Sequence, residues 1–400
     1  MTVSGETYAY PFSEPHRLDL DPFYAKLRAE EPLCRIRLPY GEPAWLATRH
    51  EDVRTVLGDP RFSRAAALER DEPRMHAHLR RQGGILAMDP PDHTRLRRLV
   101  AKAFTMRRVE LLRGRTQEIA DGLADAMAAG GDRADLVEQF ALPLPITVIC
   151  ELLGVPFEDR GDFRIWSDAF LSTSKLTGQQ VQDHIESMNG YMAHLIAERR
   201  ERPADDLLGA LVRARDEDND RLSEEELVQL AVGLLVAGHE TTASQIPNFV
   251  HVLLTHPEEL ARLRREPELV PRAVEELLRF VPLGAAGAFP RYALEDVEFG
   301  PVTVRAGEPV LVAAAAANRD PEVFSDPEGL DLGRSDNPHL GFGHGPHHCL
   351  GAQLARMELQ VALETLLRRF PGLRFDGGPD AVVWKTGLLV RGPSLMPVAW

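Results

Sequence analysis

The sequence predicts a mainly α-helical protein with a minor β portion. Residues 92–280 carry a strongly helical pattern, and apolar residues recur at helical spacing again from Leu350 to Val361. Between these two helical regions, glycine and proline divide Pro290–Val312 into pieces typical of short strands. We therefore expect helices to supply most of the ordered structure.

The order of elements along the chain favours one domain over residues 1–400. The proline-rich N-terminal portion alternates short helical pieces with extended ones such as Ala44–Thr48. We find no internal repeat, low-complexity tract or Gly/Ser linker, and the motifs described below run from residue 93 to residue 351. One large unit serving one site is the expectation.

Composition excludes several classes of function. Hydrophobic residues make up 44% and charged residues 27% of the chain, as in globular proteins with a sizeable core. A net charge of −15 argues against nucleic-acid binding and against adhesion to anionic membranes. The N-terminal sequence has no secretory pattern, and the longest apolar stretch, Leu230–Gly238, is too short for a membrane span. Three cysteines, an odd number, indicate a reducing compartment without a disulfide framework, so we expect a cytoplasmic protein. We also expect no membrane anchor and a monomer.

The segment Phe342–Gly351, FGHGPHHCLG, concentrates the chemistry. It places Cys349 between a glycine turn and the start of a helix, where free backbone N–H groups favour the thiolate that binds metals. Its glycines permit unusual backbone angles and would let a flat cofactor approach the chain. Two simpler interpretations are a buried cysteine and a zinc site of His344, His347, His348 and Cys349. The zinc site is weak, since structural zinc sites usually take two ligand pairs separated by a longer insert.

This segment resembles the cysteine loop of the cytochromes P450, F-G-x-G-x-H-x-C-x-G. The matching positions are Phe342, Gly343, Gly345, His347, Cys349 and Gly351. The resemblance implies the single-domain P450 fold and a haem b (iron protoporphyrin IX) whose iron is bound by Cys349. It also implies that His347 and Gly351 belong to the cofactor-binding loop.

A second stretch predicts one long helix. Ser223 and Glu226 form a capping box, and about 30 helical residues at 1.5 Å each would span roughly 45 Å. Gly238 in its middle costs up to about 1 kcal/mol relative to alanine, a cost that makes sense if something must approach the backbone there. A zinc-protease interpretation of His239-Glu240 fails, because H-E-x-x-H would need histidine at Ala243.

The middle of that helix, Ala237-Gly238-His239-Glu240-Thr241, resembles the A-G-x-E-T motif of the same family. The resemblance implies that Glu240 and Thr241 are catalytic and manage protons. Cleaving an O–O bond for oxygen insertion needs two protons, and a carboxylate with a hydroxyl can organise water to deliver them. The simpler interpretation of Thr241 is a hydroxyl bonded to the carbonyl one turn back.

Basic residues form a third pattern. His93 and Arg97 lie four residues apart on one face of a helix that opens at Asp92. They match the family's H-x-x-x-R motif, and Arg291 and His347 also resemble ligands of the haem propionates. Each of these alone would usually be a solvated surface charge; together they favour a shared anionic group.

Glu276 and Arg279 match the family's E-x-x-R signature, which implies a structural ion pair. This spacing alone is common on helices and carries little information. Gly329 stands where many relatives carry Arg or His, so a third partner for Glu276 is in doubt.

The resemblance implies that Pro282–Phe289, which follows the E-x-x-R helix, passes near the haem, and its small side chains would leave room there for a bulky apolar substrate. The predicted pocket residues are Leu86, Leu234, Ala237, Gly284, Ala285 and Leu388. In this region and in the cysteine loop the chain looks most like macrolide oxidases of the mycinamicin type, which implies hydroxylation or epoxidation of a macrolide.

The resemblance implies a monooxygenase that takes O2 and electrons from a ferredoxin reductase through a ferredoxin. Eight basic residues against one acid in residues 95–115 provide a surface for an acidic ferredoxin, although a solvated helix face explains them nearly as well. Two alternatives stay open. One is oxidative coupling of aromatic or cyclodipeptide substrates; the other is a non-catalytic haem-binding sensor.

Overall fold

The computed structural model describes residues 6–14, 16–75, 84–156, 160–172, 175–217, 222–284 and 289–400. Helices dominate these residues, as the sequence predicts. The helices are α1 Phe23–Glu30, α2 His50–Gly58, α3 Asp92–Ala101, α4 Met106–Ala129, α5 Pro143–Leu153, α6 Arg160–Leu171, α7 Gly178–Glu201, α8 Leu207–Glu217, α9 Glu224–Thr255, α10 Pro257–Arg265, α11 Val270–Phe280, α12 Ala314–Ala317 and α13 Ala352–Arg369.

The strands are short. They are β1 Thr7–Ala9, β2 Leu33–Arg37, β3 Ala44–Ala47, β4 Phe62–Ser63, β5 Arg133–Asp135, β6 Arg291–Ala293, β7 Val297–Phe299, β8 Val302–Val304, β9 Pro309–Val312, β10 Arg374–Phe375, β11 Val383–Trp384, β12 Pro393–Leu395 and β13 Pro397–Ala399. The predicted strand pieces within Pro290–Val312 and at Ala44–Thr48 are therefore confirmed. In the described ranges, no helix is long and apolar enough to cross a bilayer.

The chain divides into two compact units, each made of two separate stretches. The sheet unit comprises Met1–Thr94 and Glu275–Cys349, and the helical unit comprises Arg95–Val274 and Leu350–Trp400. The single domain over residues 1–400 stays a prediction.

The sheet unit is built on a mixed sheet in the order β1-β2-β3-β9-β6-β4. Its centre is parallel, with Trp45 opposite Val310, whereas β2 pairs antiparallel with β3. Buried apolar residues of α2, including Val53 and Val56, join Trp45 and Val310 in one core cluster. This cluster holds α2 against the sheet through apolar burial.

The helical unit is organised around α9. As the sequence predicts, Ser223 caps the helix in a capping box with Glu226, and the helix runs for 32 residues. It is buried over most of its length, and α5, α7 and α13 pack against it. A helix that is apolar on most sides belongs in the interior of a protein. Smaller sheets, β10-β13-β5 and β11-β12, complete this unit.

Two local findings bear on the sequence expectations. A Cβ on Gly238 would lie 2.9 Å from the Ile149 side chain of α5, so the predicted close approach to the backbone at this glycine is confirmed, and the approaching group is a helix of the same unit. The helix after the cysteine loop begins at Ala352, three residues beyond Cys349, so Cys349 is not in its first turn. The helix ends at Arg369.

Candidate active site

The cysteine loop is shaped by glycines with backbone angles that other residues rarely adopt. Gly343 has φ of 74° and Gly345 has φ of 69°. At Gly345 a Cβ would also lie 2.4 Å from the Leu57 carbonyl oxygen of α2. The amide of Cys349 donates a hydrogen bond of 2.9 Å to the Phe342 carbonyl, which closes the loop. The turn therefore fixes the Cys349 backbone while its side chain stays exposed.

Two glycines of this segment leave space beside the chain. A Cβ added at Gly343 or at Gly351 would have no heavy atom within 4 Å among the described residues, apart from its neighbours in the chain. Gly351 has φ of −85°, so a special backbone angle does not account for its lack of a side chain. An exposed thiol next to side-chain-free backbone fits a flat, metal-containing group.

A buried basic cluster lies in the same sheet unit. The rings of His93 and His347 have centroids 4.2 Å apart, and His93 is 2% exposed. Arg291 and Arg64 are also buried. The structure thus brings together three of the predicted propionate ligands and adds Arg64, which sequence reasoning missed.

The backbone holds Arg64 in this cluster. Its Nε donates 3.0 Å to the Leu86 carbonyl, and another guanidinium nitrogen donates to the Pro290 carbonyl. Its own amide donates 2.8 Å to an Asp89 carboxylate oxygen. No local sequence pattern marks Arg64, because its partners come from distant parts of the chain.

The electrostatics of the cluster favour an anion. Burial, together with repulsion from His93, Arg291 and Arg64, lowers the pKa of His347 to about 3. Burial lowers the pKa of Arg291 to about 10, with Arg64 contributing. Asp89 opposes both shifts. Crowded buried cations are relieved by carboxylates, which Arg binds with a planar fork, so the residues present fit the two propionates of a haem.

Arg97, the remaining predicted propionate ligand, lies one turn after His93 in α3. It is partly exposed and belongs to the helical unit. Its role toward a propionate stays a prediction.

In the helical unit, one face of α9 is accessible although the rest of the helix is buried. Leu234 and Thr241 are partly exposed, and Ala237 is exposed. Their spacing of three and four residues puts them on one face. The Thr241 hydroxyl donates 2.8 Å to the Ala237 carbonyl, the local bond considered as the simpler interpretation. A role of Thr241 in proton transfer stays a prediction.

Glu240, in contrast to these residues, is only 2% exposed. Its carboxylate forms an ion pair with the ammonium of Lys385, whose side chain is 11% exposed. Lys385 also donates 3.0 Å to the Ser244 hydroxyl, which in turn lies 3.4 Å from Glu240 Oε1. Sequence reasoning missed Lys385, because nothing in the motif K-T-G marks a partner 145 residues away.

The other predicted pocket residues differ in how much of each is exposed. Leu86 is 52% exposed and Gly284 is exposed, whereas Leu388 is only 7% exposed. Leu388 forms a backbone bridge with Ser172. Ala285 lies outside the described residues. The assignment of all six to a substrate pocket stays a prediction.

The Glu276–Arg279 pair is a buried ion pair in the sheet unit. Both side chains are fully buried, and two guanidinium nitrogens of Arg279 each donate 2.8 Å to Glu276. Arg279 also donates 2.8 Å to the backbone carbonyl of Gly329. The glycine therefore contributes an acceptor to the network although it has no side chain.

The doubt about a third partner for Glu276 is resolved by Arg334. Its Nε donates 3.0 Å to Glu276 Oε2, and the Asn337 amide lies 3.2 Å from the same oxygen. The Asp331 backbone amide donates 3.0 Å to Oε1. Arg334, five residues after Gly329, thus supplies the positive charge expected from a side chain at position 329.

The basic stretch at residues 95–115 is partly neutralised within the helical unit. Three of its members bond to carboxylates at N–O distances of 2.5–3.0 Å: Arg95, Arg113 and Arg115. Four others are exposed: Arg98, Lys102, Arg107 and Arg108. Met106 and Leu111, 70% and 71% exposed, lie among them in sequence.

Similarity to known proteins decides the family. The family model described as Cytochrome P450 matches residues 162–390. The mycinamicin IV hydroxylase/epoxidase of Micromonospora griseorubida is 56% identical over 398 residues, with 100% of each chain covered. The chain is a cytochrome P450.

This P450 is also similar to two further proteins. The nocardicin C N-oxygenase of Nocardia uniformis subsp. tsuyamanensis is 55% identical over 396 residues, with 99% of each chain covered. A crystal structure of HinD with NMFT and NO has a TM-score of 0.95 and 55% identity, and the match covers 99% of this chain and 100% of that one. The predicted fold class and the predicted monooxygenase class are confirmed. As a P450 monooxygenase, the protein uses haem, O2 and a redox partner, and it acts on a small molecule.

Proposed function

We propose that this P450 hydroxylates or epoxidises a bulky apolar secondary metabolite, a macrolide. The observation that carries the proposal is the full-length identity of 56% with an enzyme named for hydroxylation and epoxidation of mycinamicin IV. The accessible face of α9 supports it, because Leu234 and Ala237 offer small or apolar contacts to a large ligand. The exposed Gly284 and the predicted contacts Leu86, Ala285 and Leu388 complete the proposed pocket.

In this proposal the cofactor is haem b, with Cys349 as the thiolate ligand of its iron. The exposed thiol and the space beside Gly351 support this assignment. The basic cluster of His93, His347, Arg291 and Arg64, in which all but His347 are buried, would bind the propionates, with Arg97 as a further donor. Thiolate-bound haem supplies the activation of O2.

The residues of α9 are proposed to handle protons. Oxygen insertion consumes O2, two electrons and two protons, and it releases one water. Glu240 is buried and ion-paired, which suits a carboxylate kept ionised to accept protons. The Thr241 hydroxyl lies on the accessible face and, by rotating away from the Ala237 carbonyl, can donate to water.

The electron donor is proposed to be a ferredoxin, reduced in turn by a ferredoxin reductase. The exposed Arg98, Lys102, Arg107 and Arg108 would attract an acidic partner, and opposite charges speed such encounters. We further propose a cytoplasmic monomer in which residues 1–400 act as one domain, without nucleic acid or membrane as partner.

The thiolate assignment is tested by the carbon-monoxide difference spectrum of the reduced protein. We expect the red-shifted Soret band of a thiolate ligand in the wild type and its loss in Cys349→Ser. Cys150→Ala, at a buried cysteine in α5, is the matched control and should keep the band. A wild type without this band would refute the haem-thiolate assignment.

Substrate class is tested by titrating macrolides, cyclic dipeptides and polycyclic aromatics while the haem optical shift is recorded. Macrolides should give the tightest shift, and turnover should add one oxygen to the product mass. Loss of hydrogen without added oxygen would instead indicate oxidative coupling. Shifts with small polar compounds alone would contradict a bulky apolar substrate.

A second candidate function is N-oxygenation, favoured by the 55% full-length identity with nocardicin C N-oxygenase. It differs in the atom that is oxidised. Paired substrates with and without an amine nitrogen distinguish the two, because carbon oxidation survives removal of the nitrogen and N-oxygenation does not.

A further inference from the structure

A loop of the helical unit is fastened to α9 beside Glu240. We define the anchoring loop as residues 385–392, which join β11 to β12. Its ends are held together by a hydrogen bond of 2.9 Å from the Lys385 amide to the Gly392 carbonyl. Lys385 therefore occupies a fixed position at the base of a closed loop.

The anchoring loop contacts one face of α9 at successive turns. Glu240, Ser244 and Asn248 are spaced by four residues and share that face. The Lys385 ammonium donates to Glu240 and to Ser244, and the Asn248 amide donates 3.1 Å to a backbone carbonyl of the loop. Close packing adds to these bonds, since a Cβ on Gly392 would lie 3.1 Å from the Ser244 Cβ. The pairing of Lys385 with Glu240 is thus one of several contacts that fix the same register.

Because the ion pair is buried, the charge of Glu240 depends on Lys385. The side chains of Glu240 and Lys385 are 2% and 11% exposed. A carboxylate removed from water stays ionised only when nearby donors compensate for lost hydration. The ammonium of Lys385 supplies that compensation, and its position is set by the loop and not by α9.

The far end of the anchoring loop is attached elsewhere in the helical unit. The Leu389 amide donates 2.8 Å to the Leu171 carbonyl, and Leu388 bridges to Ser172. Leu388 is one of the proposed pocket residues. A single loop therefore carries a proposed substrate contact at its tip and the counterion of the proposed proton carrier at its base.

We propose that Lys385 is a positioning residue that keeps the Glu240 carboxylate ionised and oriented for proton delivery. The inference rests on the proposed role of Glu240 in the monooxygenase reaction. In this proposal Lys385 acts through Glu240, the carboxylate to which it donates. Loss of its charge should slow proton delivery without weakening substrate binding.

The test compares Lys385→Met with Lys385→Arg in the haem-loaded enzyme. We expect Lys385→Met to lower kcat on the order of tenfold to a hundredfold, to raise the share of electrons lost as hydrogen peroxide, and to enlarge the solvent isotope effect. The substrate dissociation constant should stay within about twofold of wild type, because an interaction that acts only on the rate can be removed without weakening substrate binding. Lys385→Arg, which keeps the charge, should recover most of the rate. Unchanged or faster turnover in Lys385→Met would overturn the proposal.

Two further variants complete this comparison. Lys26→Met makes the same chemical change at an exposed lysine of α1 and should behave as wild type. If Lys385→Met does not yield folded protein, Lys385→Gln keeps a hydrogen-bond donor without the charge and should show the same loss of rate. Full activity of Lys385→Gln would contradict a requirement for charge.

A readout independent of turnover comes from a double-mutant cycle on unfolding. Lys385→Met, Glu240→Gln and the double variant are unfolded with denaturant. We expect the double variant to lose less stability than the two single losses combined, because the partners act as one unit. Strict additivity would show that the pair is not coupled and would overturn the proposal.

Glu240→Gln separates this inference from the proposed function. If Glu240→Gln keeps full turnover and low peroxide release, the role proposed for Glu240 is wrong, and the inference about Lys385 falls with it. If Glu240→Gln slows turnover while Lys385→Met does not, only the inference about Lys385 is wrong.

Discussion

Glu276 of the sheet unit and Glu240 of the helical unit are both buried, ion-paired glutamates, but they are held in different ways. Glu276 receives the planar fork of Arg279, a second guanidinium from Arg334, an amide side chain and a backbone N–H. Glu240 is paired with the ammonium of Lys385, on a flexible chain of four methylenes, and with a nearby hydroxyl.

This difference separates a structural carboxylate from one suited to chemistry. An arginine fork saturates carboxylate oxygens in a fixed plane, so Glu276 has no oxygen left to exchange protons. A lysine ammonium is a compact charge with three donors on a flexible chain, and in this structure it donates to both Glu240 and Ser244. Burial is similar in the two places, so the type of cation makes the distinction.

The largest effect is expected from breaking the saturated network. Arg279→Met should lower the free energy of unfolding by about 3–5 kcal/mol, because it leaves Glu276 as an uncompensated buried charge. Denaturant unfolding of the haem-loaded protein measures this loss. Arg305→Met, which breaks an exposed pair with Asp296, is the control and should cause no measurable change. A similar stability for both variants would mean that the Glu276 network is not structural.

Arg334→Met sharpens the comparison within the same network. Glu276 keeps its pair with Arg279 in this variant, so we expect a smaller loss of about 1.5–3 kcal/mol, the range for a hydrogen bond to a charged group. The same unfolding experiment applies. A loss equal to that of Arg279→Met would show that Arg334, and not the E-x-x-R arginine, holds the network together.

For the helical unit we expect a smaller effect on stability than on rate. Glu240→Gln keeps the shape of the side chain and should cost about 1–2 kcal/mol, since it leaves Lys385 without its anionic partner. Its slowing of turnover should be larger, about a hundredfold, as for loss of a general acid–base group. Unfolding and steady-state kinetics on one preparation compare the two. A stability loss as large as that of Arg279→Met would place Glu240 with the structural carboxylates.

A third buried glutamate, Glu358 of α13, gives the smallest effect and depends on pH. Burial raises its pKa well above the usual range, although the Thr242 hydroxyl partly opposes the shift. The unfolded state therefore releases this proton at lower pH than the folded state, and stability is lost as the pH rises. Glu358→Gln should match wild type at pH 5 and be the more stable protein at pH 9, as thermal unfolding at both pH values would show. Equal stability at pH 9 would indicate that Glu358 ionises freely in the folded protein.

The sequence was informative wherever the interacting residues lie close together in the chain. The ten residues of the cysteine loop, the capping box of Ser223 and Glu226, and the strands at Pro290–Val312 each depend on local patterns. Local backbone geometry decides such features, so the residue types alone predict them.

Three residues whose partners lie far away in sequence, and which no family motif marks, were missed. Arg64 bonds to a carbonyl 226 residues away, Lys385 to a carboxylate 145 residues away and Arg334 to one 58 residues away. Their positions are set by tertiary packing, which no spacing rule encodes. At Gly238 the sequence predicts that something approaches the backbone, but not that the approaching group is Ile149, because tertiary packing again decides which residue that is.

Leu388 and Lys385 share the anchoring loop, and this matters for anyone who redesigns the enzyme. Substitutions at Leu388 that are intended to admit new compounds also change the loop that holds Lys385 against the Glu240 carboxylate. Variants that are selected only for conversion of the substrate are then expected to lose most of their reducing equivalents without forming product. Product formed per electron supplied is therefore the quantity to select, together with second-site changes that stiffen the loop.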